Sequence, residues 1–214
     1  MRSAASRAGR AAASAVGALA LAAAGAAGAA GAETLEGRCS LRIEASATLH
    51  AFSGEAPCAL FRIEPIAGSE RQRARVEVAV DRITTGIAAR DARMREMFDA
   101  EAHPVIAARF DAIEVASLRR AALREGPAEE LAFLLRIGER ERRVVPSLAR
   151  YREGADGSAA FRASFEVSLA DFGLEAPTAL GFVRVADRVG VEAEVELRGL
   201  AAPAPEGEPA PRRD

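Results

Sequence analysis

The sequence predicts an all-β protein, an antiparallel barrel of about eight strands with one short helix between two of them. Three observations carry this reading. Apolar and polar residues alternate with period two through most of the chain, turn-forming residues punctuate it at short intervals, and one segment alone has a clear helical period. A β-sandwich is the second architecture compatible with the same pattern.

The strands can be justified in order. Leu41, Ile43 and Ala45 alternate with Arg42, Glu44 and Ser46, and a second apolar segment runs from Ala59 to Ile66. Val76, Val78 and Val80 stand opposite Glu77, Ala79 and Asp81. Further strands are expected at Ile106 to Ala116, Leu131 to Ile137 and Val144 to Tyr151. Gly154-Ala155-Asp156-Gly157 is the clearest hairpin turn, and after it Phe161, Ala163, Phe165, Val167 and Leu169 share one parity. Val189, Val191, Ala193, Val195 and Leu197 repeat the pattern opposite Glu192, Glu194 and Glu196. Closure into a barrel would remove the exposed edges at which long strands aggregate. The helix spans Ala88 to Phe98, with Met94, Met97 and Phe98 on a single face.

The ends read differently. Arg2, Arg7 and Arg10 precede an uncharged run from Ala11 to Ala32 that finishes in Ala30-Gly31-Ala32, the order of a secretory signal with an A-x-A site. Residues 1–32 are therefore expected to be a signal peptide cut after Ala32, followed by a domain over 33–199, and the protein is expected in the periplasm or secreted. A retained membrane anchor is the alternative for that run. Residues 200–214 alternate prolines with small and charged residues and read as a disordered tail. Without the first 32 residues, 26 bases face 31 acids and the net charge is −5, which disfavours a nucleic-acid partner.

Cys39 and Cys58 are the only cysteines and lie about equally far from the centre of the first hairpin, near Thr48 to Leu49. In an exported protein such a pair most often forms a disulfide, with two buried thiols as the alternative.

Reactive groups are sparse. There is no G-x-S-x-G elbow, no Gly-rich phosphate loop and no H-E-x-x-H. His50 and His103 are the only histidines and are far apart in sequence, so no metal site is expected. Asp171 precedes Phe172-Gly173 but follows an alternating strand, where it is expected to cap a turn while Gly173 supplies an unusual backbone angle. Arg90-Asp91 reads as a helix-start pair with its carboxylate near the amide-rich end.

The stretch from Ile83 to Phe110 carries Thr85-Gly86, Arg90-Asp91, Met94, Met97-Phe98 and His103-Pro104 before a new strand. In order and spacing it resembles the signature of the YceI-like family. Ser46 to Phe52 with Ser53-Gly54 resembles that family's first hairpin, and Ser168 to Pro177, SLADFGLEAP, is similar to its late Ser, Asp-Phe-Gly and Pro pattern. The resemblance covers about Cys39 to Gly199 and implies a lipocalin-like barrel, exported to the periplasm, around a long apolar molecule such as an isoprenoid or a quinone tail.

On that footing, Ile43, Phe61, Ile63, Val78, Met94, Met97, Phe98, Phe110, Phe133, Phe161, Phe165 and Phe172 are the expected ligand-facing residues, and Arg90, Arg93 and His50 the head-group candidates. No cofactor is required, and transient membrane contact and a homodimer are both compatible with the reading. The rival is an envelope interaction module, not an enzyme, whose barrel is filled by its own side chains.

Overall fold

The computed structural model describes residues 34–48, 50–176, 178–179 and 183–198. The expected signal peptide, its cut after Ala32, the proline-rich tail, and Leu49 and Pro177 of the quoted motifs lie outside these residues. All that follows belongs to the unit Ala32–Asp214.

The strands are β1 (Leu35–Ala47), β2 (Ala51–Pro57), β3 (Leu60–Pro65), β4 (Gln72–Ala79), β5 (Val105–Ile113), β6 (Phe133–Ile137), β7 (Arg140–Val144), β8 (Ser147–Glu153), β9 (Ala159–Ser168), β10 (Thr178–Ala179) and β11 (Val183–Leu197). Two helices, α1 (Ala88–Phe98) and α2 (Val115–Ala122), lie before and after β5. The strands form one curled antiparallel sheet of 11 strands in the order β7-β6-β5-β4-β3-β1-β11-β9-β8, with β2 beside β1 and β10 beside β11.

Alternation sets which face each residue takes. Along β1 the even-numbered residues from Glu36 to Ser46 are exposed, while Leu41, Ile43 and Ala45 turn inward. A long ladder joins β1 to β11, from Gly37 opposite Leu197 to Ala45 opposite Val189. Gly37 is needed here for space, because a Cβ on it would stand 2.5 Å from the Phe61 ring. On the outer face of β9 and β11, Arg162 forms ion pairs with Glu192 and Glu194.

Two segments differ from expectation. The strand expected from Val144 to Tyr151 is two strands, because Pro146, which has no N–H to donate, interrupts the chain between β7 and β8. The strand expected to reach Ala116 stops at Ile113, and α2 starts at Val115. With β2 and β10 counted separately, these divisions account for the higher strand number.

The sheet is also less closed than a barrel, since its hydrogen-bonded path ends at β7 and β8 without joining them. Both edges are blunted in other ways. On β7, Arg140, Glu141, Arg142 and Arg143 are all exposed, and charge discourages pairing with another chain. On β8 the register slips between Ala149 and Arg152, and Arg150 takes a φ of 56°, a bulge that ends regular pairing.

Cys39 and Cys58 form a disulfide with a Cα–Cα separation of 5.3 Å. The Cys58 N–H also donates to the Cys39 carbonyl at 2.9 Å, so the bridge pins the point where β2 gives way to β3.

Candidate functional site

Inside the curl is a chamber of about 700 Å³. That is within the range of ligand pockets, roughly 300–1,000 Å³. Its wall comes from the inward faces of β1 to β6, β8, β9 and β11, together with α1 and α2. Space remains because several inward positions hold alanine or glycine where a core would hold leucine: Ala45, Gly54, Ala74, Ala108, Ala163 and Ala193. Ala163 faces Ala193 across the β9–β11 ladder, which keeps that wall thin.

The chamber has a closed end and an open end. At the closed end Ile63, Leu131 and Leu197 are 2%, 1% and 1% exposed, and Leu118 of α2 packs against them. The plug is fastened by polar contacts: buried Ser117 donates to Glu130 Oε2 at 2.7 Å, and Arg120 donates to the same oxygen at 2.9 Å. These hold the Glu130 carboxyl below the usual range, chiefly through the Ser117 hydroxyl. At the other end, lining residues His50, Ala89 and Arg93 are exposed.

Helix α1 stands at the open end, and its placement explains the most informative motif in the sequence. Gly86 turns the chain with a φ of 75°. Asp91 is then buried, at 6% exposed, with its carboxylate folded back onto that turn. It accepts from Thr84 Oγ1 at 2.9 Å and from the Thr85 N–H at 2.8 Å, as well as from the Thr85 hydroxyl. These donors, the Thr85 hydroxyl first, hold its carboxyl below the usual carboxylate range. Asp91 stands in the first turn of α1, where the helix-start reading puts it, and its hydrogen bonds go to the turn before the helix. The helix starts without a side-chain cap, and its acid ties it to the preceding turn.

With α1 fixed in this way, Met94, Met97 and Phe98 line the chamber. Ile43, Phe61, Ile63, Val78, Phe110, Phe133, Phe161 and Phe165 line it as well. Phe110 and Phe133 sit with ring centroids 5.0 Å apart, and Phe165 meets Phe133 edge-on at 5.3 Å. Phe172 is not in the lining. It lies in a short helical turn beyond β9 and is buried among Phe133, Leu135, Ile137 and Val167, a core role that its parity with the strand does not reveal.

Arg90, Arg93 and His50 all reach the lining at its open end. The Arg90 guanidinium lies over the Phe52 ring, 4.2 Å from its centroid. Sequence reasoning left Phe52 out of the site, although it follows His50 at strand spacing. His103 is not brought to the chamber and lines a separate outer groove with Arg75, Glu77 and Arg136.

Asp171 is exposed in its turn, and the carboxylate that holds this turn belongs to Asp187 on β11. Asp187 accepts from Ser168 Oγ at 2.7 Å and from the Ala170 N–H at 2.8 Å. Gly173 does take a positive φ, 70°. Among the described residues, no three His, Cys, Asp or Glu side chains are grouped so as to hold a metal ion. No helix among them is long and apolar enough to cross a membrane.

Comparison with known proteins agrees with this geometry. A polyisoprenoid binding domain from Saccharophagus degradans, implicated in plant cell wall breakdown, superposes with a TM-score of 0.57 at 14% identity, over 77% of this chain and 98% of that one. BcnA from Burkholderia cenocepacia superposes with a TM-score of 0.52 at 13% identity, over 74% of this chain and 95% of that one. At such identity the likeness concerns the fold. No curated protein matches the chain. The YceI-like domain matches it over residues 34–197.

Proposed function

Because the chain belongs to the YceI-like domain family, we propose that it is an exported protein that holds one apolar chain, isoprenoid or quinone-like, inside its curled sheet and carries or buffers it without chemistry. The observation that carries this is the chamber of about 700 Å³, apolar along its length and exposed at one end. The polyisoprenoid binding domain of similar fold supports the ligand class. The disulfide and the basic, apolar, A-x-A order of the first 32 residues support export. A barrel filled by its own side chains would leave no such space, so the interaction module is the weaker reading.

Energetics favour carriage. Burying hydrocarbon from water is worth about 0.8 kcal/mol per methylene, but a lipid tail starts in a bilayer. Moving it into the chamber exchanges one apolar medium for another, a nearly balanced step that suits reversible loading.

The test is transfer of a labelled polyprenyl or quinone lipid between donor and acceptor vesicles. Catalytic amounts of the mature protein should accelerate transfer. No acceleration, with the protein folded and its disulfide intact, would count against a carrier.

A further inference from the structure

We propose that the outer groove beside His103 and Pro104 is a binding site for a small oxyanion, a carboxylate or a phosphate, held by Arg136 and Arg75 with the His103 ring next to them. The groove shares no lining residue with the chamber. It therefore stands or falls apart from the tail reading.

The first ground is shape. The groove encloses about 270 Å³ between Arg75 and Glu77 of β4, the segment from Ala102 to Val105, and Arg136 of β6. Ala107 of β5 lies between the two flanking strands, since both Glu77 and Arg136 are its register partners, and it is 7% exposed. A longer side chain at this outward position would rise into the depression. At about 30 Å³ per water the space equals roughly nine waters. That suits one carboxylate or phosphate group and is too little for a lipid tail.

The second ground is that the parts are fixed before any ligand arrives. Asp99 ends α1 with a φ of 49°, and its carbonyl accepts from the His103 N–H at 2.7 Å. The Pro104 carbonyl accepts from the Val80 N–H at 2.9 Å. From the other side the turn between β6 and β7 meets the imidazole, so that a Cβ on Gly138 would stand 3.7 Å from its Cδ2. Groups held in this way lose little freedom on binding.

The third ground is unspent donors. Among the described residues Glu77 is the only acid that lines the groove, and it is already paired with Arg75 at 2.5 Å. Glu141 stands opposite Arg136 in the β6–β7 register but turns to Arg109, 4.0 Å away. Among the described residues neither the Arg136 guanidinium nor the His103 ring has a hydrogen bond or an ion pair. The planar fork of Arg136 matches the two oxygens of a carboxylate or phosphate. Two arginines against one glutamate leave one positive charge before His103 is counted. An oxyanion would cancel it.

The experiment follows the backbone amides of His103, Val105, Arg136 and Gly138 by NMR while inorganic phosphate, succinate or the neutral succinamide is titrated into the mature protein. At low salt the shifts should saturate, and at least one anion should bind about tenfold tighter than the diamide. The preference should shrink as salt is raised. Comparing phosphate with succinate shows which oxyanion the groove takes. Arg136→Gln should weaken the anion at least about tenfold. Arg136→Lys, which keeps the charge and loses the fork, should fall between that variant and wild type. Arg142 is an exposed arginine of the neighbouring strand that donates to the Glu141 carbonyl at 2.8 Å, and Arg142→Gln should bind as wild type does.

Shifts that grow without saturating, or that saturate equally with succinamide, would overturn the site. An equal loss in Arg136→Gln and Arg142→Gln would overturn it too, since diffuse surface charge would then account for binding. The wild-type titration decides whether a saturable site exists even if a variant does not fold. Lipid transfer should be unaltered in Arg136→Gln, so the chamber reading keeps its own test.

Discussion

Asp91 and Thr85 are joined twice, by the Thr85 backbone N–H at 2.8 Å and by its hydroxyl, so that one carboxylate locks the turn before α1 to the helix itself. Removing that acid leaves a part-buried N–H and two hydroxyls without their acceptor. Asp91→Ala should cost about 2–3 kcal/mol and loosen α1 before the sheet melts. Urea unfolding with amide hydrogen exchange over residues 84–98 measures both; unchanged protection in α1 would contradict the role.

The same contact sets a pH dependence. The Thr85 hydroxyl and the other donors hold the Asp91 carboxyl below its ordinary 3.8, so its contribution is complete above that value and fades as pH falls through the lower folded value. The stability gap between wild type and Asp91→Asn should be constant near neutrality and narrow below about pH 4. A gap that widened in acid would show the sign to be wrong.

Cys39 and Cys58 close a loop with a sequence separation of 19. In the chain-entropy model that closure is worth about 3 kcal/mol. Cys39→Ser/Cys58→Ser, or reduction, should lower the unfolding free energy by about that amount while the far-UV spectrum stays β-rich. An unchanged urea midpoint would mean the bridge does not restrain the unfolded chain.

Leu131 seals the closed end of the chamber at 1% exposed. Leu131→Ala should cost about 2–5 kcal/mol, since a cavity adds to the lost burial. It should also extend the longest tail accepted, read from a chain-length series of alcohols. A smaller cost with an unaltered length limit would place the seal elsewhere.

The Ala163–Ala193 pair gives a converse test. Because Ala163 borders space, Ala163→Phe should fill part of the chamber, lower tail binding at least tenfold and cost less than about 1.5 kcal/mol, unlike overpacking of a tight core. Full binding in the variant would show that the tail lies along another wall.

Much of this was legible in the sequence, for identifiable reasons. Parity along β1, β9 and β11 is strict because one face is buried and the other wet, so Ile43, Phe161 and Phe165 could be assigned inward from spacing alone. The turn and helix from Thr85 to Phe98 could be read because glycine, acid and Met-Phe face each do a local job. Phe172 misled because it sits one turn past β9, where parity no longer applies. Helix α2 was missed because it is short and rich in alanine and arginine, although Val115, Leu118 and Ala122 recur at helical spacing. The chamber itself was not legible, since a filled barrel and a hollow one share the same parity. The signal that could have revealed it is the inward alanines, a choice that leaves volume where leucine would not.

The most direct test of the account is native mass spectrometry of the mature protein, purified from an envelope fraction without detergent, followed by organic extraction. The account predicts a stoichiometric adduct that extracts as a single-tailed lipid and disappears in Ala163→Phe. A bare mass that persists after incubation with prenyl, quinone and fatty acyl lipids would contradict it and leave the chamber without a ligand.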